Sequence, residues 1–565
     1  MKRLAALLIA AALLGCPPAG DGEGGDPTPT PSGETAVGID VSTLPDWKAK
    51  LYPQTDAWKS APQELTFNNG AEPETLDVHL MTGVPEGRIA QGLFECLVEQ
   101  HPETLAPVPG VAESWDVSDD GTVYTFHLRE DATWSNGREL TAQDFYDSWK
   151  RGLTPATGCQ YGYMFYPIKN AEAFHTGKLE DFEQVGVKVQ DPRTLVVTLE
   201  EPCPYFLDLV AFRTLAPVPV WVIEKLKAEG QEDRWSRPEN MVGNGPFILK
   251  EWAPNQKIVM TTNPHYWDKD YVKLTKVTAL PYEDVDTAYN LFQEGSCDWN
   301  TTVPSAKIDE VQLLPEYFVQ PYLGSYFYRI NVTKPPFDDV RVRKALSRGF
   351  DRSIITRDVL KAGQIPATWF CPAMPGYEPP KGLAYDRDAA RELLAEAGYP
   401  DGKGFPTVEL LYNSNEDHKK VAESIVQQWK ENLGITVSLR NSEWKVYLSD
   451  VEQLNYQVAR AGWIGDYVDP NTFLDMWLEG GGNNNTGWSD PEYTRLIAEA
   501  AQGGDRAERM QKFHRAEQIL VEEQLPIIPI YIYVNQGLLA AKVKGWYENV
   551  RDQHPYQYMW IEPVE

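Results

Sequence analysis

The sequence predicts an α/β protein of two or three lobes whose sheet is parallel in part. The observations behind this are the length of the globular part, the alternation of strand and helix signals, and one βαβ unit. Of the 565 residues, roughly 520 follow the N-terminal leader, more than one hydrophobic core usually holds. Near residues 408–439, strand, helix and strand follow one another within about 30 residues, the pattern of two parallel strands joined by a crossover helix.

The elements follow in order. Lys2 and Arg3 precede an apolar run from Leu4 to Leu14 that is too short to span a bilayer and has the proportions of a signal-peptide core. Gly15 before Cys16 matches the bacterial lipobox, so Cys16 is the expected lipid attachment point and the mature N-terminus. Residues 17–37, rich in Pro, Gly, Asp and Thr, cannot bury a core and read as a flexible tether. Thr122 to Leu128 alternates polar and apolar residues, as a half-buried strand does. Thr141 then caps a helix, with Asp144 three residues on and Phe145 and Trp149 sharing a face. Thr194 to Leu199 reads as a strand closed by Glu201-Pro202-Cys203-Pro204. Asp388 to Ala397 is a helix stopped by Gly398 and Pro400. Val408 to Tyr412, His418 to Leu433 and Ile435 to Leu439 form the βαβ unit.

Composition excludes several classes. A net charge of -30 argues against nucleic acid and anionic membrane surfaces as partners. The cysteines after Cys16 (96, 159, 203, 297 and 371) form no Cys-x-x-Cys pair and are odd in number, so this is no disulfide scaffold. There is no Gly-x-Ser-x-Gly elbow, no His-Glu-x-x-His and no Gly-rich loop ending in Lys-Ser or Lys-Thr. No two histidines share a helix face at metal-ligand spacing. Acidic pairs such as Glu522-Glu523 are expected by chance in a chain with 82 acids. The residues offer no nucleophile and base to assign, which leaves an enzyme open, and no cofactor or metal centre is expected. Aromatic residues make up 12% of the chain, and large flat side chains suit enclosure of a ligand recognised mainly by shape. Ala461-Gly462-Trp463-Ile464-Gly465-Asp466-Tyr467 sets an acid among aromatics, where it can receive a cation.

Several segments together carry a family resemblance: Glu74-Thr75-Leu76-Asp77, Trp134-Ser135-Asn136-Gly137, Gly243-Asn244-Gly245-Pro246-Phe247, the run from Pro335 to Leu346, Leu410-Leu411-Tyr412-Asn413, and Ala459 through Tyr467. From about Leu65 to Glu562 the chain resembles the oligopeptide-binding proteins of ABC importers, within the family 5 solute-binding proteins. The resemblance implies a type II periplasmic-binding-protein fold, two hinged α/β lobes with mixed sheets plus an extra domain. Carried over, lobe I is 55–94, 221–323 and 535–565, the extra domain 95–220 and lobe II 324–534, after a signal peptide (1–16) and a tether and leader (17–54). It further implies a monomer outside the cytoplasm, tethered to the membrane only by lipid, that captures short peptides and delivers them to a permease.

The resemblance also assigns residues. Asp466 matches the acid that holds the peptide's α-ammonium. Tyr161, Trp444, Trp463, Asn413 and Tyr533 match cavity-lining positions, and Tyr322, Asn484 and Gly462 match further ligand contacts. Arg460 and His418 match groups that meet the peptide's carboxylate and serve peptides of different length. His418 falls at the expected start of a helix, where free N–H groups favour an anion, and it can titrate near neutrality. Thr82, Leu360, Val451 and Thr301 stand where relatives carry extra polar or charged groups, Arg329 where they carry an acid, and Gly324 and Ile464 where they carry a cysteine pair. Subsite preference is therefore expected to differ. Rival readings are the same fold holding an oligosaccharide, a metal chelate or a signalling compound, a chaperone or receptor without a permease, and a secreted hydrolase.

Overall fold

The computed structural model describes residues 47–564 apart from 52, 54, 375 and 502–504. Cys16 and the signal peptide lie outside the described residues. Within the stretch assigned to the leader, Trp47–Leu51 is a helix, and Lys48 pairs with Asp268 at 2.7 Å. Among the described residues no helix is long and apolar enough to cross a membrane.

A mixed sheet of eleven strands runs through the molecule. From one edge its order is Val437–Ser442, Val408–Asn413, Val458–Ile464, Tyr317–Ile330, Ile527–Leu539, Trp299–Asn300, Glu64–Asn68, Lys276–Leu280, Lys257–Thr262 and Phe247–Ala253, with Ile365–Pro366 beside Ile527–Leu539. The expected βαβ unit is present. Val408 pairs with Val437 and Asn413 with Ser442 in parallel register, joined by the helix Glu416–Leu433. That helix buries Val421, Ala422, Ile425, Trp429 and Leu433, a 3.6-residue stripe laid against the sheet. Trp429 also donates its indole N–H to the Leu346 carbonyl at 2.9 Å.

Two long antiparallel strands connect the two ends of this sheet. Tyr317–Ile330 pairs with Ile527–Leu539 from Tyr317↔Leu538 to Arg329↔Ile527, but the register shifts between Pro321 and Ser325 and again between Tyr326 and Phe327. The boundaries expected at 323/324 and 534/535 fall inside these strands. Gly324 lies directly opposite Ile464, whose side chain already occupies the space a Cβ at 324 would need. Packing takes the place of a crosslink there.

A separate four-stranded antiparallel sheet takes the order Ala112–Val117, Val123–Leu128, Thr194–Thr198, Val187–Asp191. Against it packs the helix Ala142–Leu153, which has the capping box read from sequence: the Thr141 N–H donates to Asp144 Oδ2 at 2.8 Å. Phe145 and Trp149 meet edge to face at 6.4 Å. The hydrophobic core beneath this sheet continues into Trp463, Tyr467, Phe473 and Trp477, so its apolar contacts reach the strand that ends at the candidate acid. All five described cysteines are buried and free.

Candidate functional site

The strand Val458–Ile464 distributes its side chains to two faces. Ala459, Ala461 and Trp463 face one way, beside their partners Arg329, Phe327 and Ser325; Arg460 and Gly462 face the other, beside Tyr328 and Tyr326. The candidate site therefore has two separate clusters, with Asp466 just past the strand's end.

Around Asp466 the chain turns tightly. A Cβ on Gly465 would sit 2.8 Å from the Leu323 side chain and 2.9 Å from Phe473, so only glycine fits at that turn. Asp466 donates its amide N–H to Thr472 Oγ1 at 2.9 Å, and the Thr472 hydroxyl lies 3.4 Å from Asp466 Oδ2. The carboxyl is buried, and no salt bridge to it forms among the described residues. Burial pushes its pKa up to about 7, against the opposing pull of the Arg551 charge and the Thr472 hydrogen bond. Arg551 directs its own donors elsewhere, to the Gly465 carbonyl (3.0 Å) and Gln100 Oε1 (2.6 Å). Aromatic pairs gather around Asp466. Tyr161 stacks on Trp463 at 6.2 Å and leans on Phe212 at 5.1 Å, and Tyr205 stacks on Tyr467 at 4.8 Å.

On the other face, Arg460 donates to the Tyr533 hydroxyl at 2.6 Å and to Asn413 Oδ1 at 3.3 Å, with its guanidinium 4.8 Å over the Tyr326 ring and its Nε unpartnered. Tyr322 tilts against Tyr533 at 6.0 Å. A Cβ on Gly462 would lie 2.6 Å from the Tyr533 hydroxyl, which explains the glycine. Trp444, which opens the helix Trp444–Glu452, stacks on Tyr447 at 5.6 Å and reaches Gly83, where an added Cβ would lie 3.1 Å from its ring. Its indole sits beside Glu86, a carboxyl that burial pushes up to about 7.

The reading of His418 needs correction. The helix begins at Glu416 rather than His418, and the Asn415 side chain already accepts from the Asp417 and His418 N–H groups (2.9 and 3.2 Å). Those donors are not free for a ligand anion. Burial and the nearby Arg460 charge also hold the His418 imidazole well below its usual range, so it does not titrate near neutrality in this state. It does join the Arg460 cluster, 5.5 Å from the Tyr326 ring. The Asn484 amide N–H groups go to the Trp477, Leu478 and Trp488 carbonyls and its oxygen accepts from Thr486, so in this state the side chain holds its own loop.

Thr472, Arg551 and Tyr326 went unread in the sequence. Thr472 lies six residues after Asp466, within loop distance, but Arg551 reaches the site from the far end of the chain and leaves no local signal.

A family model, bacterial extracellular solute-binding proteins, family 5 (middle), matches residues 106–485. The chain is 39% identical over 496 residues to the periplasmic oligopeptide-binding protein OppA of Escherichia coli (strain K12), covering 86% of this chain and 90% of that one. Haemophilus influenzae OppA in complex with RPPGFSPFR superposes with a TM-score of 0.84 at 36% identity, over 89% of this chain and 100% of that one. The Escherichia coli murein tripeptide binding protein MppA superposes at 0.85 and 35% identity, over 89% and 99% of the two chains. Its unliganded open form gives only 0.60 at the same identity, over 89% and 98%. The chain therefore belongs to family 5 of the bacterial extracellular solute-binding proteins and has the type II fold with mixed α/β sheets. One relative fits at 0.85 in one form and 0.60 in its open form, so the lobe arrangement here is not the open one.

Proposed function

We propose that this is the peptide-capturing component of an ABC importer, working outside the cytoplasm without catalysis and handing short peptides to a permease. The observation that carries the reading is Asp466: a buried carboxyl with no salt bridge, held among Tyr161, Trp463 and Tyr467. Such a group gains most from a fixed cation, and a peptide's α-ammonium supplies one. Arg460, steadied by Tyr533 and Asn413, receives the carboxylate end, with His418 beside it; Tyr322, Gly462 and Trp444 shape the space between. The lobes at 55–94, 221–323 and 535–565 and at 324–534 close on the paired strands Tyr317–Ile330 and Ile527–Leu539, with 95–220 as the extra domain. Ligand contacts to both lobes favour the closed form by population shift. The 39% identity to the oligopeptide-binding protein OppA and the likeness to the murein tripeptide binding protein MppA support this.

Calorimetry tests the reading. Tri- and tetrapeptides should bind, and their N-acetylated forms should bind more weakly by about 2–5 kcal/mol, the penalty for leaving a buried charge unpaired. Equal affinities would remove Asp466 from this role. Tethering through a lipid on Cys16 is part of the same proposal. Cys16→Ser should shift the protein out of the membrane fraction while the globular part keeps its affinity.

A further inference from the structure

Arg329 is the anomaly among the buried arginines. Arg343, Arg352, Arg509 and Arg551 are as deeply buried, and each is answered. Arg343 donates to the Gln524 carbonyl at 2.6 Å, Arg352 to the Pro529 carbonyl at 2.7 Å, Arg509 to both oxygens of Asp469, and Arg551 to Gly465 and Gln100. Arg329 is 7% exposed, and its Nε is sealed without a partner. Among the described residues it has no hydrogen bond and no ion pair; its recorded contact is the Phe327 ring, 5.9 Å from the guanidinium. A desolvated guanidinium left without an acceptor is costly, and a fold tolerates it where something outside the chain completes it.

Its position says what. Arg329 pairs with Ala459 on the same face as Trp463, the face that Tyr161 covers. The charges of both Arg329 and Asp466 are felt at Tyr161, which places them around the same aromatic wall. Nor does Arg329 hydrogen-bond to its neighbouring tyrosines among the described residues; the Tyr447 hydroxyl donates to the Arg460 carbonyl and the Tyr456 hydroxyl to the Asn485 carbonyl. We propose that Arg329 is a subsite for an anionic side chain, so that the captured peptides carry Asp or Glu at their second or third residue. This rests on the peptide-binding reading and narrows it to acidic peptides. A guanidinium presents donors in a planar fork that matches a carboxylate bidentately, and in a desolvated pocket that pairing discriminates strongly against an amide of the same shape.

The test uses tetrapeptides of alanine with Glu, Gln or Lys at position 2 or 3, each with a free or an amidated C-terminus, titrated calorimetrically into the whole protein. At one of the two positions Glu should bind about ten-fold or more tighter than Gln, with Lys weaker still. Arg329→Gln and the apolar Arg329→Met should both erase that preference and leave the penalty for C-terminal amidation intact. If amidation ceases to matter in these variants, Arg329 serves the terminal carboxylate and the inference is overturned. Equal binding of Glu and Gln peptides to the unmodified protein, a comparison that needs no variant, overturns it as well. Failure of every peptide to bind, acidic ones included, would instead remove the peptide-binding reading, and this inference with it.

Discussion

Tyr161 and Trp463 lie with ring centroids 6.2 Å apart and planes within 15° of each other. One comes from the region of the antiparallel sheet, the other from the strand that delivers Asp466. The stack joins two parts of the chain near Asp466, so in the proposed site ligand enclosure and aromatic packing would form together. The two rings should therefore couple. In a double-mutant cycle of Tyr161→Ala and Trp463→Ala, peptide affinity should show an interaction energy of about 0.5–1.5 kcal/mol, the usual worth of an aromatic pair beyond its buried area. Strict additivity would mean the rings part company when ligand is bound.

The raised pKa of Asp466, about 7, gives affinity a definite pH dependence. An ammonium ligand needs the ionised carboxylate, so binding should be full above pH 7 and weaken by up to about ten-fold per unit as pH falls below it. Calorimetry in two buffers of different ionisation enthalpy should detect the proton released on binding. Asp466→Asn should abolish that release.

Stability should respond in the opposite direction. The folded acid titrates near 7 against an ordinary 3.8, so between those values the folded chain holds a proton that the unfolded chain has lost. Stability from this group is thus lost as pH rises from about 4 to 7. Asp466→Asn should stabilise the ligand-free protein by on the order of 2–4 kcal/mol at pH 8 and change little at pH 4, read from urea melts at the two pH values. A variant that is less stable at pH 8 would contradict the assignment.

Substitution at Gly462 should separate recognition of the two peptide ends. A Cβ there would press on the Tyr533 hydroxyl at 2.6 Å, and that hydroxyl orients Arg460. Gly462→Ala should lower affinity for free-carboxylate peptides by about 1–3 kcal/mol, the usual cost of overpacking. Discrimination against N-acetylated peptides should survive. Loss of both would show that the two clusters are not independent.

Arg460 and His418 flank the same Tyr326 ring, at 4.8 and 5.5 Å. Each added residue moves an extended peptide's carboxylate by about 3.3–3.6 Å, so neighbouring groups can serve successive lengths. Arg460→Ala should hurt tripeptides more than tetrapeptides, and His418→Ala the reverse. Because His418 is held neutral, the change in affinity between pH 7 and 8 should be the same in His418→Gln as in the unmodified protein.

Short-range signals were the legible ones. The parallel pairing of Val408–Asn413 with Val437–Ser442 followed from periodicity, and the Thr141–Asp144 capping box from spacing alone. Asp466 stood out because its aromatic company is adjacent in sequence. What stayed hidden depends on groups distant in the chain or on competition for a donor. Arg551 reaches Gly465 through tertiary packing, and the cap at Asn415 takes the N–H groups credited to His418's site. Asn484 carried a plausible polar side chain, but a loop spends all of it internally. The isolation of Arg329 is visible only once every other buried arginine has found its acceptor.

The register shift between Pro321 and Ser325 has a kinetic consequence. In the proposed mechanism a peptide held between the lobes leaves only after the paired strands bend, and because the ladder is interrupted there and again between Tyr326 and Phe327, bending concentrates at these breaks. Escape is then clocked by the backbone rather than by the ligand. Peptides that differ widely in affinity should share one ceiling on their dissociation rate, which makes release on demand a matter for whatever pries the lobes apart.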